Sequence, residues 1–232
     1  MMIMSWVDEL INSPLLIYAT AIALIIVVVV MLYGNRKNRQ RMKELWAVLV
    51  KSIKIYGDKV GHSGGYRRLK ISVSTDPKDW KLEKVEFMVI LEDRDNAFHY
   101  VLKLFRPDYD KLLIQGSFGN KVHGKVKKSE LEIISVTDKR TQKRLAKRLS
   151  SLSSYNLDVL PEDRFIVRTN NGKLMAQSIK SLSSELADHL IRISIGPDNP
   201  HIFTLWRLEE PDLITNMVNF VFSFTNTFVD KS

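Results

Sequence analysis

Residues 15–33, LLIYATAIALIIVVVVMLY, are 19 consecutive positions without a charged side chain. A helix of that length, at ~1.5 Å of rise per residue, spans about 28 Å, close to the hydrocarbon thickness of a bilayer. Val and Ile dominate residues 22–30. In water such a run favours a strand, but in lipid a helix satisfies its own backbone groups and an open strand does not. A buried core element rarely runs this long without a polar face. A cleaved leader is the other reading, since Ala19-Thr20-Ala21 has the small residues of a cleavage site. That triplet lies inside the apolar run, and no Lys or Arg precedes the run, so the stretch reads as an uncleaved anchor.

The flanks of the run predict its orientation. Asp8 and Glu9 are the charged residues before it, and Arg36, Lys37, Arg39, Arg41 and Lys43 follow it. By the positive-inside rule, residues 1–14 face outward and the C-terminal side stays in the cytosol, with those five cations at the lipid head groups. The expected location is a cell membrane or an endoplasmic-reticulum-type membrane.

The charge is unevenly distributed. The chain carries a net +9 and no cysteine. Residues 36–148 hold 28 basic and 14 acidic side chains, whereas the segments on either side are net acidic. The basic part suits anionic head groups or RNA phosphates. The missing cysteines exclude disulfides, thiolate nucleophiles and thiolate metal sites.

Periodicity divides the rest. Gly34 and Asn35 suggest a hinge, and residues 34–57 form a juxtamembrane basic amphipathic helix with Met42, Leu45, Trp46, Leu49 and Ile53 on its apolar stripe. Gly57, Gly61, Gly64 and Gly65 read as a flexible joint. Residues 66–229 then read as one cytosolic domain. Strands are expected at 67–74, 85–91 (buried on both sides), 98–105, 112–118, 122–126 and 131–136, with a polar turn at 92–96. Residues 139–155 form a helix capped by Asp138, with Lys139, Arg140, Lys143, Arg144, Lys147 and Arg148 on one dense basic face. A strand at 164–168, a tight turn at 170–172, a helix at 178–189, strands at 190–195 and 201–208, and a helix at 211–229 complete the pattern. The fold class is α+β: one N-terminal transmembrane helix, then a mostly antiparallel sheet with packed helices.

The last helix is apolar nearly all round. Ile214, Met217, Val218, Phe220, Val221, Phe224 and Phe228 suit either the domain core or a surface for a partner. The basic face at 139–148 suits either ribosomal RNA or anionic lipid; it lacks the aromatic interleaving of a sequence-specific RNA reader.

No catalytic, metal-ligating or cofactor-binding set emerges. The five histidines are scattered, and no zinc-protease or nucleophile-elbow pattern occurs. Residues 119–125 match seven positions of a phosphate loop, but Val126 lacks the hydroxyl that would hold Mg²⁺, and a strand follows. A hairpin turn is the plainer reading. Asp93, Asp95 and Asn96 resemble part of a calcium loop without its glycine or terminal glutamate.

The order of elements resembles the calumin family, the single-span subunit of the PAT complex beside the Sec translocon. The likeness covers about residues 28–228. It rests on Gly34, Lys37 and Asn38 with Trp46 downstream; on Leu160-Pro161, Phe165-Ile166-Val167 and Gly172-Lys173-Leu174; on Ala187-Asp188-His189-Leu190 leading into Ile193-Ser194-Ile195; and on Leu213-Ile214 with Met217-Val218-Asn219-Phe220. The sequence resembles a short relative without the family's acidic lumenal segment or basic coiled-coil tail, so calcium binding does not carry over. The resemblance implies a non-enzymatic factor that helps multi-span membrane proteins insert and assemble. Its implied partners are the Sec translocon and a small membrane protein, with the ribosome a further candidate. The rival expectations are a membrane-tethered enzyme or ligand-binding domain, and a scaffold for an unrelated membrane complex.

Overall fold

The computed structural model describes residues 13–76, 78–105, 108–119, 122 and 129–231. The chain divides into two units. The first comprises the residues up to Arg41 with Glu92–Asp108; the second comprises Met42–Leu91 with the residues from Tyr109 onward.

Helix α1 (Pro14–Ile53) contributes to both. Pro14 takes the first helical position, where its missing N–H is no loss. The apolar window within α1 has a mean hydropathy of 3.1 and none of it is buried in the protein. Among the described residues, this is one helix long and apolar enough to cross a membrane. The hinge expected at Gly34 and Asn35 is absent, because α1 runs through both. Gly34 serves close approach instead: a Cβ there would strike the backbone carbonyl of Arg94.

In the first unit, a strand was expected at 98–105, but the chain forms helix α2 (Ala97–Lys103). The physical reason is a local cap and a local ion cluster. Asn96 accepts a hydrogen bond from the Phe98 N–H. Glu92 is buried, and three cationic or ionisable groups converge on it. His99 Nε2 lies 3.0 Å from its Oε1, Lys103 pairs with the same oxygen, and Arg94 Nη2 stands 3.2 Å from Oε2. His99 and Lys103 are one helical turn apart, so only a helix presents both to one carboxylate. The segment is tied to α1 through Asn38, whose side-chain amide donates to the Glu92 carbonyl at 3.1 Å and accepts from Arg94 at 2.9 Å.

Burial acts to raise the Glu92 pKa, but hydrogen bonds from Lys103 and His99 and the charges of Arg94 and Lys103 outweigh it, and the carboxyl sits below its ordinary value. A group lowered in this way stabilises the docked segment above its unfolded pKa and loses that contribution as pH falls through the folded value. A nitroxide on Tyr100→Cys, on α2 and exposed, in detergent micelles, is therefore expected to gain mobility on acidification below the ordinary carboxylate range. In a Glu92→Gln background its spectrum should already be mobile and should not change with pH. A rigid, pH-invariant spectrum in the Glu92 protein would show that this cluster does not hold α2.

The second unit is built on a sheet in which nine strands are described: β1 (Gly57–Gly64), β2 (Arg68–Thr75), β3 (Leu82–Ile90), β4 (Lys111–Phe118), β5 (Leu131–Ser135), β6 (Ser153–Ser154), β7 (Phe165–Thr169), β8 (Leu190–Ile195) and β9 (Ile202–Arg207). Their order is β1-β2-β3-β4-β9-β8-β5-β7-β6, with every pairing antiparallel. The β8–β9 hairpin is inserted between β4 and β5, joining the early meander to the later strands. The glycines read as a joint lie instead in or just after β1. Strand β3 alternates between buried and partly exposed positions rather than being buried on both sides. Strand β8 is buried throughout.

The helices follow the sheet. The helix expected at 139–155 is broken at Leu145 into α3 (Lys139–Arg144) and α4 (Ala146–Ser151), and β6 follows. The turn expected at 170–172 leads directly into α5 (Gly172–Ser178), because the Asn171 side chain accepts from Leu174 N–H and starts the helix early. The single helix expected at 178–189 is a 3₁₀ turn (Ile179–Ser181) and α6 (Ser184–His189). Most of the strand expected at 122–126, and of the phosphate-loop-like stretch at 119–125, lies outside the described residues.

Helix α7 (Leu213–Lys231) closes the core. Met42, Leu45, Leu49 and Ile53 of α1 are buried in that core, as their spacing predicts, and Trp46 packs on its margin 5.7 Å from the His62 ring. The Tyr56 ring, just past α1, stacks on Phe222 at 3.9 Å, with Trp80 edge-on to both. The Tyr56 hydroxyl donates to Asn219, and Ser52 and Thr215 share a 2.7 Å hydrogen bond. These polar pairs satisfy groups that the packing of α7 removes from water.

Candidate cationic surface

Helix α3 starts at Asp138, whose side chain accepts from the Thr141 N–H. The Gln142 amide donates to the carbonyls of Ser135 and Val136 at the end of β5. These bonds hold the helix where the strand delivers it. Helix α4 is fixed by Arg148. Its Nη1 lies 3.1 Å from Glu132 Oε1, its Nε lies 3.4 Å from Glu130 Oε2, and its Nη2 donates to the Ile195 carbonyl at 2.8 Å. Gly196 leaves room for this guanidinium, since a Cβ there would crowd Nη2.

Beneath Arg148 is a buried charge cluster. Glu132 is completely inaccessible to solvent. Arg192 contacts it through Nε at 3.2 Å and Nη2 at 3.1 Å, and the Ser194 hydroxyl donates to it at 2.6 Å. The Arg192 guanidinium also lies 5.0 Å over the Phe203 ring. One carboxylate thus meets two guanidinium groups and a hydroxyl, which is the pairing a buried anion requires.

The predicted basic face is therefore divided. Lys139, Arg140, Lys143, Arg144 and Lys147 are exposed on two short helices. Arg148 belongs to the scaffold rather than to the outward face, because its guanidinium is spent on Glu130, Glu132 and Ile195. Five exposed cations on about two turns repel one another, and a polyanion relieves that repulsion by displacing counterions.

The cations expected at the lipid head groups lie on α1 just past the apolar run. Arg36, Lys37, Arg39 and Lys43 are exposed and Arg41 is half-buried. The set read as a possible partner surface needs correction. Ile214, Met217, Val218, Phe220, Val221, Phe224 and Phe228 are all buried in the core, none more than 3% exposed. An all-round apolar helix is what a core with packing on several sides requires. Among the described residues no group of three His, Asp or Glu side chains is placed to hold a metal ion.

Sequence reasoning missed Glu132, Arg192 and Ser194. Each occupies the polar phase of an alternating strand, which reads as a solvated face. Only the β5–β8 pairing, which sets Ser194 opposite Glu132, brings them together. No protein-family model and no curated protein matches the chain.

Proposed function

We propose that this protein is a non-enzymatic factor anchored in the membrane by residues 15–33, acting beside the Sec translocon in the insertion and assembly of multi-span membrane proteins. In this reading the cationic residues after the span sit at cytosolic head groups and the α+β unit works in the cytosol. The resemblance to the calumin family supplies the translocon, a small membrane-protein partner and the ribosome as the expected assembly. The observation that carries the reading is the pairing, in one chain, of an unburied apolar helix with five exposed cations on α3 and α4. A factor at a membrane-bound ribosome needs both, an anchor in lipid and a cationic surface toward phosphate.

Replacing Lys139, Arg140, Lys143 and Arg144 with Glu is expected to abolish salt-sensitive co-sedimentation with ribosomes, while the unfolding transition stays near that of the parent. Unchanged co-sedimentation would remove the ribosome from the proposal. Affinity purification in mild detergent tests the wider claim: translocon subunits should co-purify, and recovery of an unrelated membrane complex in their place would identify a scaffold.

A further inference from the structure

Helix α2 carries an apolar face that the described residues of the first unit leave exposed. Phe98, Val101, Leu102 and Phe105 follow the i, i+3, i+4, i+7 pattern of a single helical stripe. They are exposed by 74%, 57%, 62% and 83%, and the adjacent Leu104 by 82%. That is as bare as the apolar run of α1 itself, where Leu15 and Ile17 are 79% and 61% exposed. The opposite side of α2 is committed to protein, with His99 and Lys103 on Glu92. Five large apolar side chains on nine residues exceed the scattered hydrophobics of an ordinary surface.

The place of α2 in the first unit decides what covers it. The segment is attached to α1 at Gly34, where the Arg94 backbone packs, and at Asn38, which bonds both Glu92 and Arg94. Tyr33 ends the apolar run. Gly34 and Asn38 therefore lie about 1.5 and 7.5 Å beyond it along the helix axis. The head-group layer on each side of a bilayer is about 5–8 Å thick. Both attachment points fall within it, on the turns that also carry Arg36, Lys37 and Arg39. An amphipathic helix lying in that layer buries its apolar face at the boundary between head groups and acyl chains.

We propose that α2 and the two residues after it form an interfacial membrane foot, with Phe98, Val101, Leu102, Leu104 and Phe105 seated in lipid beside the span. The proposal rests on residues 15–33 crossing the bilayer. The foot gives the chain a second point of membrane contact and fixes how the anchor helix is turned about its own axis.

The absence of native cysteine makes the test clean. Single cysteines at Phe98, Leu102 and Phe105 are spin-labelled in the full chain, in vesicles of phosphatidylcholine and phosphatidylglycerol. Val27→Cys reports on the span, and Ser154→Cys is an exposed position in the second unit. Collision with oxygen, which concentrates in lipid, is compared with collision with a water-soluble nickel chelate. Labels at 98, 102 and 105 should favour oxygen, as at Val27, whereas Ser154 should favour nickel. If the three labels favour nickel while Val27 favours oxygen, the foot is refuted and the anchor stands. Labels shielded from both reagents would mean that protein covers α2, a second copy or a partner, and would also refute it. If Val27 favours nickel, the anchor and the foot fall together.

Discussion

Replacing Glu132 with Ala is expected to cost the second unit about 3–5 kcal/mol of folding stability, the range for removing one partner from a buried ion pair. For a unit of this size that lowers the unfolding midpoint by about 10 °C. The penalty comes less from lost attraction than from what remains. Arg192 keeps a guanidinium that is 90% shielded, with its main anion gone and Phe203 as its remaining close contact. Ser194 loses its acceptor. Arg148 retains Glu130 and the Ile195 carbonyl, so α4 loosens without detaching. A double variant, Glu132→Leu with Arg192→Met, should regain much of the loss, because apolar pairs of similar volume often replace buried ion pairs without penalty. Thermal unfolding of the purified full chain in detergent measures all three proteins. A Glu132→Ala protein that melts with the parent would show that the cluster is solvated. The same variant should weaken ribosome co-sedimentation only partly, since the five outward cations keep their side chains.

Which parts of this arrangement could be read from sequence follows from the range of the interactions involved. Strand β4 was legible because Leu112, Ile114 and Phe118 alternate with half-exposed residues, and that period is a local signal. The buried stripe of α1 was legible for the same reason, at a spacing of three and four. Helix α2 was misread because Phe98, Tyr100, Leu102 and Leu104 also satisfy a period of two. The competing stripe Phe98, Val101, Leu102, Phe105 was present, but the tie was broken by Asn96 and by the ion cluster on Glu92. The charge cluster under Arg148 was not legible at all. Its members come from β5, α4 and β8, separated by up to 62 residues, and their meeting depends on which strands pair. A basic face can be counted from sequence; which of its cations is spent on the scaffold cannot, because that depends on Glu130, Glu132 and the Ile195 carbonyl, which the strands bring beneath Arg148.

The closing helix offers the second large effect, and it separates the two readings its sequence left open. Phe224 is fully buried, with the Phe220 ring stacked on it at 5.5 Å and the Phe228 ring tilted against it at 6.1 Å. Phe224→Ala removes a benzyl group from a packed interior and is expected to cost about 3–5 kcal/mol, the transfer loss plus the cavity that incomplete relaxation leaves. Phe224→Leu, which keeps most of the volume, should cost about 1–2 kcal/mol. A side chain reserved for a partner behaves in the opposite way: its truncation leaves the isolated chain as stable as before and weakens only the complex. Denaturant unfolding of the purified chain therefore decides the matter without any partner present. A graded loss, Ala greater than Leu, places α7 in the core. Equal stability of all three proteins would return Ile214, Met217, Val218, Phe220, Val221, Phe224 and Phe228 to the surface. Among the described residues, that would make α7, rather than the apolar run of α1 or the face of α2, the apolar surface awaiting a partner.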